Sequence, residues 1–215
     1  MSRTRIKFCG IRRQQDVRTA VDLGVDALGL VFVEGSRRHV TPQAGARLRR
    51  AVPAFVSVVA LLLDPEPELV RAVIDTVRPD LLQFHGREDP AFCAGFGMPY
   101  VKAVAMADPA NLRREARRHR GCSGLLLDSH AAGGMGGRGE AFDWSTVGSV
   151  RQPLILAGGL GPQTVARGIR MVRPYAVDVS SGIEARPGIK DPDKMAAFVD
   201  AVQRADRALR RSANQ

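Results

Sequence analysis

Four residues of proton-moving type sit where apolar runs of this chain stop. Cys9 ends RIKFC (5–9), His85 follows DLLQF (80–84), Asp128 ends GLLLD (124–128) and Asp178 lies inside YAVDVS (175–180). An acid in an otherwise apolar strand needs a partner or a function, because an unpaired buried carboxylate is costly. A strand-end cysteine is more commonly a small buried hydrophobe, and His85 fits equally a core histidine bonded to a carbonyl. Two further stretches are built for an anion. Ala157–Leu160 (AGGL) leads into the helix opening GPQTV, and Ser180, Ser181 and Gly182 follow the last apolar run. Glycines let backbone N–H groups approach an anion closely, and a helix start adds unpaired donors and partial positive charge.

These residues have to be positioned by a repeating pattern of elements. Eight short apolar runs recur: 5–9, 27–33, 55–63, 80–84, 100–104, 124–128, 153–157 and 175–180. They are continuously apolar rather than alternating, as expected of parallel strands covered on both faces. Between them lie segments with helical spacing, among them QQDVRTAVDLG, TPQAGARLRRAV, EPELVRAVIDTV and DPANLRREARRH, a short one near DWSTVGSV, and last DPDKMAAFVDAVQRADRAL. Several open on Thr, Asp or Gly followed by Pro, which is helix-start chemistry. Eight β-then-α units in about 200 residues predict an α/β fold, a single (β/α)8 TIM barrel of the compact kind, spanning residues 1–209 with a polar tail at 210–215. An open doubly wound sheet is the competing architecture. The first strand, however, leads into CGIRRQQD and not into the GxGxxG turn such a fold would carry for a dinucleotide.

The barrel reading gives the reactive residues a common address, since barrel active sites gather at the carboxyl ends of the strands. Cys9, the GSRRH loop, His85, Asp128 and Asp178 all fall there, and the AGGL and SSG loops match the phosphate site that barrels often build after strands 7 and 8. The glycine-rich stretch Ser129–Phe142, beside Asp128, reads as a lid over such a site.

Composition narrows the field further. Of the 215 residues, 45% are hydrophobic and 25% charged, which excludes a wholly disordered chain. No apolar run is long enough to span a bilayer and the first residues lack a signal sequence, so the expected compartment is the cytoplasm, with no membrane partner. Three cysteines without CxxC spacing indicate neither a disulfide framework nor a zinc site. The 32 Lys and Arg against 22 Asp and Glu give a formal charge of +10, which suits an anionic ligand. Much of the excess lies in arginine-rich helical segments without aromatics, so it reads as solvated helix faces and no nucleic-acid partner is expected.

The same residues resemble a known family, phosphoribosylanthranilate isomerase of tryptophan biosynthesis. KFCGIRRQQDV, GLVFVEGSRRHV, LLQFHGRED, LLLDS, GGRGEAFDW, LILAGGL and VDVSSGIEARPGIKD match its seven motifs in order, from about Ile6 to Val202. One departure stands out: Arg138 occupies a position where the family usually has Thr or Ser, in a loop lengthened by extra glycines. The resemblance implies an Amadori rearrangement of N-(5-phosphoribosyl)anthranilate to 1-(2-carboxyphenylamino)-1-deoxyribulose 5-phosphate, with no metal and no organic cofactor. It implies Cys9 as general base and Asp128 as general acid, Arg38 on the anthranilate moiety, Asp178 on the sugar and His85 in the wall. Gly158, Gly159, Ser180, Ser181 and Gly182 would cradle the phosphate. A thiol can take a carbon-bound proton only if its pKa falls toward neutrality, so cationic or helix-end help is expected near Cys9. Glu184 and Arg186 are left to a local salt bridge bracing the loop.

Two other readings compete. The phosphosugar isomerase of histidine biosynthesis shares the barrel and the reaction type, but would carry aspartate in place of Cys9 and a second phosphate loop where LLLDPEP stands. A non-enzymatic basic binding protein leaves the acids, the thiol and the glycine loops unexplained. The partner implied throughout is a small phosphorylated molecule, handled by a monomer or a homodimer.

Overall fold

The computed structural model describes residues 3–129 and 142–213. Eight parallel strands close into a barrel in sequence order: β1 (Arg5–Cys9), β2 (Ala27–Val31), β3 (Ser57–Leu62), β4 (Leu81–Phe84), β5 (Tyr100–Ala105), β6 (Gly124–Asp128), β7 (Leu154–Leu156) and β8 (Ala176–Val179). The seam is closed by β8 against β1, with Arg5 opposite Ala176 and Lys7 opposite Asp178. The open doubly wound alternative is thereby excluded. Both faces of each strand are covered, which is why the runs read as continuously apolar. Outward side chains such as Phe8, Leu28, Leu62, Phe84, Leu125 and Val177 pack under the helices. Small inward ones, Val101, Ala103, Leu126 and Ala157, fill the barrel with Leu81 and Ile155.

Helices α1 (Gln14–Asp22), α2 (Pro42–Arg49), α3 (Pro67–Val77), α4 (Pro90–Ala94), α5 (Ala110–Arg118), α6 (Val165–Val172) and α7 (Pro192–Ala213) form the outer layer. The expected start chemistry is present. Thr41 and Asp89 accept from the backbone N–H groups of Ala44 and Phe92 at 3.2 and 2.8 Å, each just before a proline, and Asp191 accepts from those of Asp193 and Lys194. Three details differ from the sequence reading. Between β6 and β7 the described residues form one 3-10 turn, Trp144–Thr146, in place of a short α-helix, with Asp143 as its N-cap accepting from the Ser145 backbone N–H at 3.0 Å. α7 continues through Arg210 to Ala213, past the boundary drawn at 209. An unforeseen antiparallel pair, β9 (Glu184–Arg186) and β10 (Ile189–Lys190), separates β8 from α7. Among the described residues no helix is long and apolar enough to cross a membrane.

The loops after β3 and β4 are tied together by charge. Lys102 on β5 points outward, where its ammonium donates to the Gly86 carbonyl at 2.6 Å and pairs with Glu88 at 3.1 Å. Glu88 in turn accepts from the backbone N–H groups of Gly86 and Asp64. Both side chains are at most 3% exposed, so removing one partner strands the other charge in a dry layer. Lys102→Met, which keeps the volume and deletes the charge, is expected to cost about 3–5 kcal/mol in urea unfolding. Pairing it with Glu88→Gln should recover part of that loss.

Candidate active site

At the carboxyl-end mouth of the barrel, strand alternation brings Lys7 and Cys9 of β1 to the inside together. The chain leaves Cys9 through Gly10, whose φ of +77° is open to glycine at little cost, and the N–H groups of Gly10 and Ile11 both donate to the Gly29 carbonyl. Gly29 on β2 is opposite Cys9, and a side chain there would collide with it: a Cβ would lie 2.8 Å from the thiol sulfur and 3.2 Å from Lys7 Cε. Across the seam, the Lys7 ammonium meets Asp178 Oδ2 at 3.0 Å. Asp178 Oδ1, also buried, has no hydrogen-bond partner among the described residues.

Asp128 ends β6 beside β7. Its Oδ2 is 3.4 Å from His85 Nε2, and the Ser129 hydroxyl lies 3.4 Å from Oδ1. His85 is held in turn through Nδ1, 3.1 Å from the Gln83 side-chain amide. The histidine ring thus lies between the Gln83 side chain and the Asp128 carboxylate. Gly158 abuts the same carboxylate, since a Cβ there would come within 3.0 Å of Oδ1.

The two glycine loops meet backbone to backbone. Gly158 and Gly159 are both left-handed, at φ +71° and +67°, and their N–H groups have no protein partner among the described residues. A Cβ on Gly182 would overlap the Leu160 carbonyl and sit 2.9 Å from Gly161 Cα, so only glycine lets the SSG turn close on AGGL. The Ser180 hydroxyl is already donated, at 3.1 Å, to the Cys9 carbonyl, while Ser181 opens a 3-10 turn and stays half-buried. The two glycine loops thus reach Cys9 through Ser180 and Asp128 through Gly158.

Arg38 reaches the mouth from the loop after β2, bound through Nε and Nη2 to the two carboxylate oxygens of Glu184, each at 2.8 Å. Lys190 of β10 pairs with the same carboxylate at 2.9 Å and donates to the Ser180 carbonyl at 3.0 Å. Burial works against the Glu184 charge, but the two cations hold its pKa below the usual range. The local salt bridge expected of Glu184 is present, but it is made with Lys190, its register partner in the β9–β10 pair, and not with Arg186, which is exposed; a second partner, Arg38, comes from the loop after β2.

The electrostatics of Cys9 also depart from expectation. Cations do surround it, with Lys7 and Lys190 both favouring the thiolate, yet burial and the nearby Asp178 carboxylate outweigh them and push the thiol up, not toward neutrality. Lys7, Lys190 and Gln83 were missed as site residues. Lys7 had a signal, its place two residues before Cys9 on one strand face; Lys190 had only the Pro187–Gly188 turn, which folds it back onto Glu184 but does not by itself place the pair at the mouth. Residues 130–141, with Arg138 and most of the expected lid, lie outside the described residues. Among the described residues no three His, Cys, Asp or Glu side chains gather as metal ligands.

With this geometry in hand, comparison with known proteins is decisive. The model of the N-(5′-phosphoribosyl)anthranilate (PRA) isomerase family matches residues 6–201. The chain belongs to this family. An N-(5′-phosphoribosyl)anthranilate isomerase of Stenotrophomonas maltophilia (strain R551-3) is 51% identical over 207 residues, 95% of each chain. The crystal structure of the family member from Thermus thermophilus superposes with a TM-score of 0.83 at 34% identity, covering 94% of this chain and 99% of that one. A further phosphoribosylanthranilate isomerase, at 32% identity and TM-score 0.80 over 93% of this chain and 98% of its own, was crystallised with reduced 1-(o-carboxyphenylamino)-1-deoxyribulose 5-phosphate.

The Glu184 bridge carries its own test. Glu184→Ala leaves two buried cations facing each other and is expected to lower unfolding stability by about 3–5 kcal/mol. Arg186→Ala, at an exposed position, should stay within about 0.5 kcal/mol in the same denaturation series.

Proposed function

We propose that the barrel mouth isomerises N-(5-phosphoribosyl)anthranilate to 1-(2-carboxyphenylamino)-1-deoxyribulose 5-phosphate, with Asp128 as general acid and Cys9 as general base. The observation that carries this reading is that one pair of glycine loops, packed backbone to backbone, touches both the Asp128 carboxylate and the Cys9 backbone. A phosphate held there anchors a sugar between the two groups. Asp128 gives its proton to the furanose ring oxygen and the ring opens to a Schiff base; the Cys9 thiolate then removes the proton at C2 to give an enolamine, which tautomerises to the ketone. Proton exchange with water returns both groups to their starting state.

The remaining side chains supply position. Arg38 spends its Nε–H and one N–H of Nη2 on Glu184, which leaves both Nη1 donors and the second Nη2 donor for the anthranilate carboxylate. Asp178 Oδ1, buried and unpartnered, is suited to accept from a sugar hydroxyl. His85 orients Asp128, and the N–H groups of Gly158, Gly159 and Gly182 with the Ser181 hydroxyl form the phosphate cradle, Ser180 serving it by holding the loop on β1. The protein acts in the cytoplasm on this small phosphorylated partner, as a monomer or homodimer, without a nucleic-acid or membrane partner.

Loss of anthranilate-type fluorescence on mixing purified protein with substrate tests the assignment. Cys9→Ser and Asp128→Asn should each lower kcat by about 10²–10⁴; near-normal turnover in both would sink the roles given them. Inorganic phosphate should compete with substrate. Gly182→Ala, which forces the two loops apart, should raise KM and the phosphate inhibition constant together by about tenfold, equivalent to about 1.4 kcal/mol of anion binding.

A further inference from the structure

The least expected charge in the mouth is Lys7. Other strands fill comparable inward positions with Val101, Ala103 or Leu126, whereas β1 places an ammonium there that is 7% exposed. Its ion pair with Asp178 does not explain it as a device for stability, since a buried pair is often replaced by apolar residues without loss. What distinguishes the position is its neighbour. Lys7 and Cys9 share the inner face of β1, with Asp178 beside Lys7 on one flank and Gly29 beside Cys9 on the other. The missing Gly29 side chain leaves the room in which the Lys7 stem and the thiol lie side by side.

We infer that Lys7 is the positioning residue of the base: its ammonium supplies the charge that allows the buried Cys9 thiol to ionise, and Asp178 limits how much of that charge the sulfur receives. The other charged groups facing Cys9 are Lys190 from β10 and Arg38 from the loop after β2. Both of those cations are already bound to Glu184, whereas among the described residues the acid paired with Lys7 is Asp178. Lys7 is also the cation acting most strongly on the thiol. In the free protein, burial and Asp178 keep the sulfur protonated. When a sugar hydroxyl donates to Asp178 Oδ1, part of the carboxylate's charge is engaged, and more of the ammonium's field falls on the sulfur. The thiol proton passes to water, and the thiolate is then formed only beside a bound sugar.

This inference rests on the reading of Cys9 as base, but its test reads the thiol directly. The rate of carboxamidomethylation of Cys9 by iodoacetamide is followed against pH by peptide mass, in wild type, Lys7→Met, Lys7→Arg and Asp178→Asn. Cys93 of α4 and Cys122 before β6, both free and buried, serve as internal controls in the same digests. Lys7→Met should move the Cys9 midpoint up by at least about one pH unit, so that alkylation below it slows about tenfold. Asp178→Asn should move it down, and Lys7→Arg should leave it within about half a unit. The acid limb of kcat/KM should follow the thiol midpoint in Lys7→Met and Lys7→Arg. A midpoint unmoved in Lys7→Met, or shifted in the same direction by the Lys7 and Asp178 substitutions, would overturn the inference and leave the pair a structural one. Lys7→Gln carries the same test if Lys7→Met does not fold. The base assignment fails separately, on an active Cys9→Ser.

Discussion

The seam where β8 closes onto β1 is the constraint on which the site depends. Lys7 and Asp178, 171 positions apart, face each other at 3.0 Å because the two strands pair in one register. A slip of one residue would turn both to the helix layer and bring Ile6 and Val177 into the mouth. The same seam is fastened again at its upper end by Ser180 on the Cys9 carbonyl and at its lower end by Thr4, bonded through N and Oγ1 to Asp206 of α7. Barrel closure and assembly of the reactive centre are therefore one event.

Around that seam the protein solves a problem of buried charge. Two lysines, an arginine and two carboxylates share a region with little access to water, and each group must have a counter-charge or shift its protonation. Glu184 answers for Arg38 and Lys190 together, and its position on a two-stranded excursion after β8 is what lets one carboxylate reach both. Asp178 answers for Lys7 with one oxygen and leaves the other open. The consequence is a mouth in which the cations are rigidly held while one acceptor and the N–H groups of two glycine loops remain available, an arrangement suited to a polyhydroxylated anion. The acid side is built on a different pair of strands, where Gln83 fixes His85 and His85 faces Asp128.

Much of this was written in the chain. The eight alternations of apolar run and amphipathic segment determined the barrel, because a strand buried on both faces and a helix buried on one have different periodicities that cannot be exchanged. The strand ends showed which acids, thiol and histidine would share the barrel mouth, and the glycines of AGGL and SSG showed where two backbones would approach closely. Even Lys7 was legible in principle from its two-residue spacing to Cys9. What only the tertiary structure decided was the pairing of charges and the state of the thiol. Glu184 finds Arg38 across 146 positions, which no local pattern could predict; the Pro187–Gly188 turn that returns Lys190 to Glu184 is a local signal, but its place beside Arg38 and Ser180 is set by the fold. Cys9 is surrounded by cations, as its chemistry demands, yet burial raises its pKa, because desolvation depends on the whole fold packed around a group and not on its neighbours in sequence.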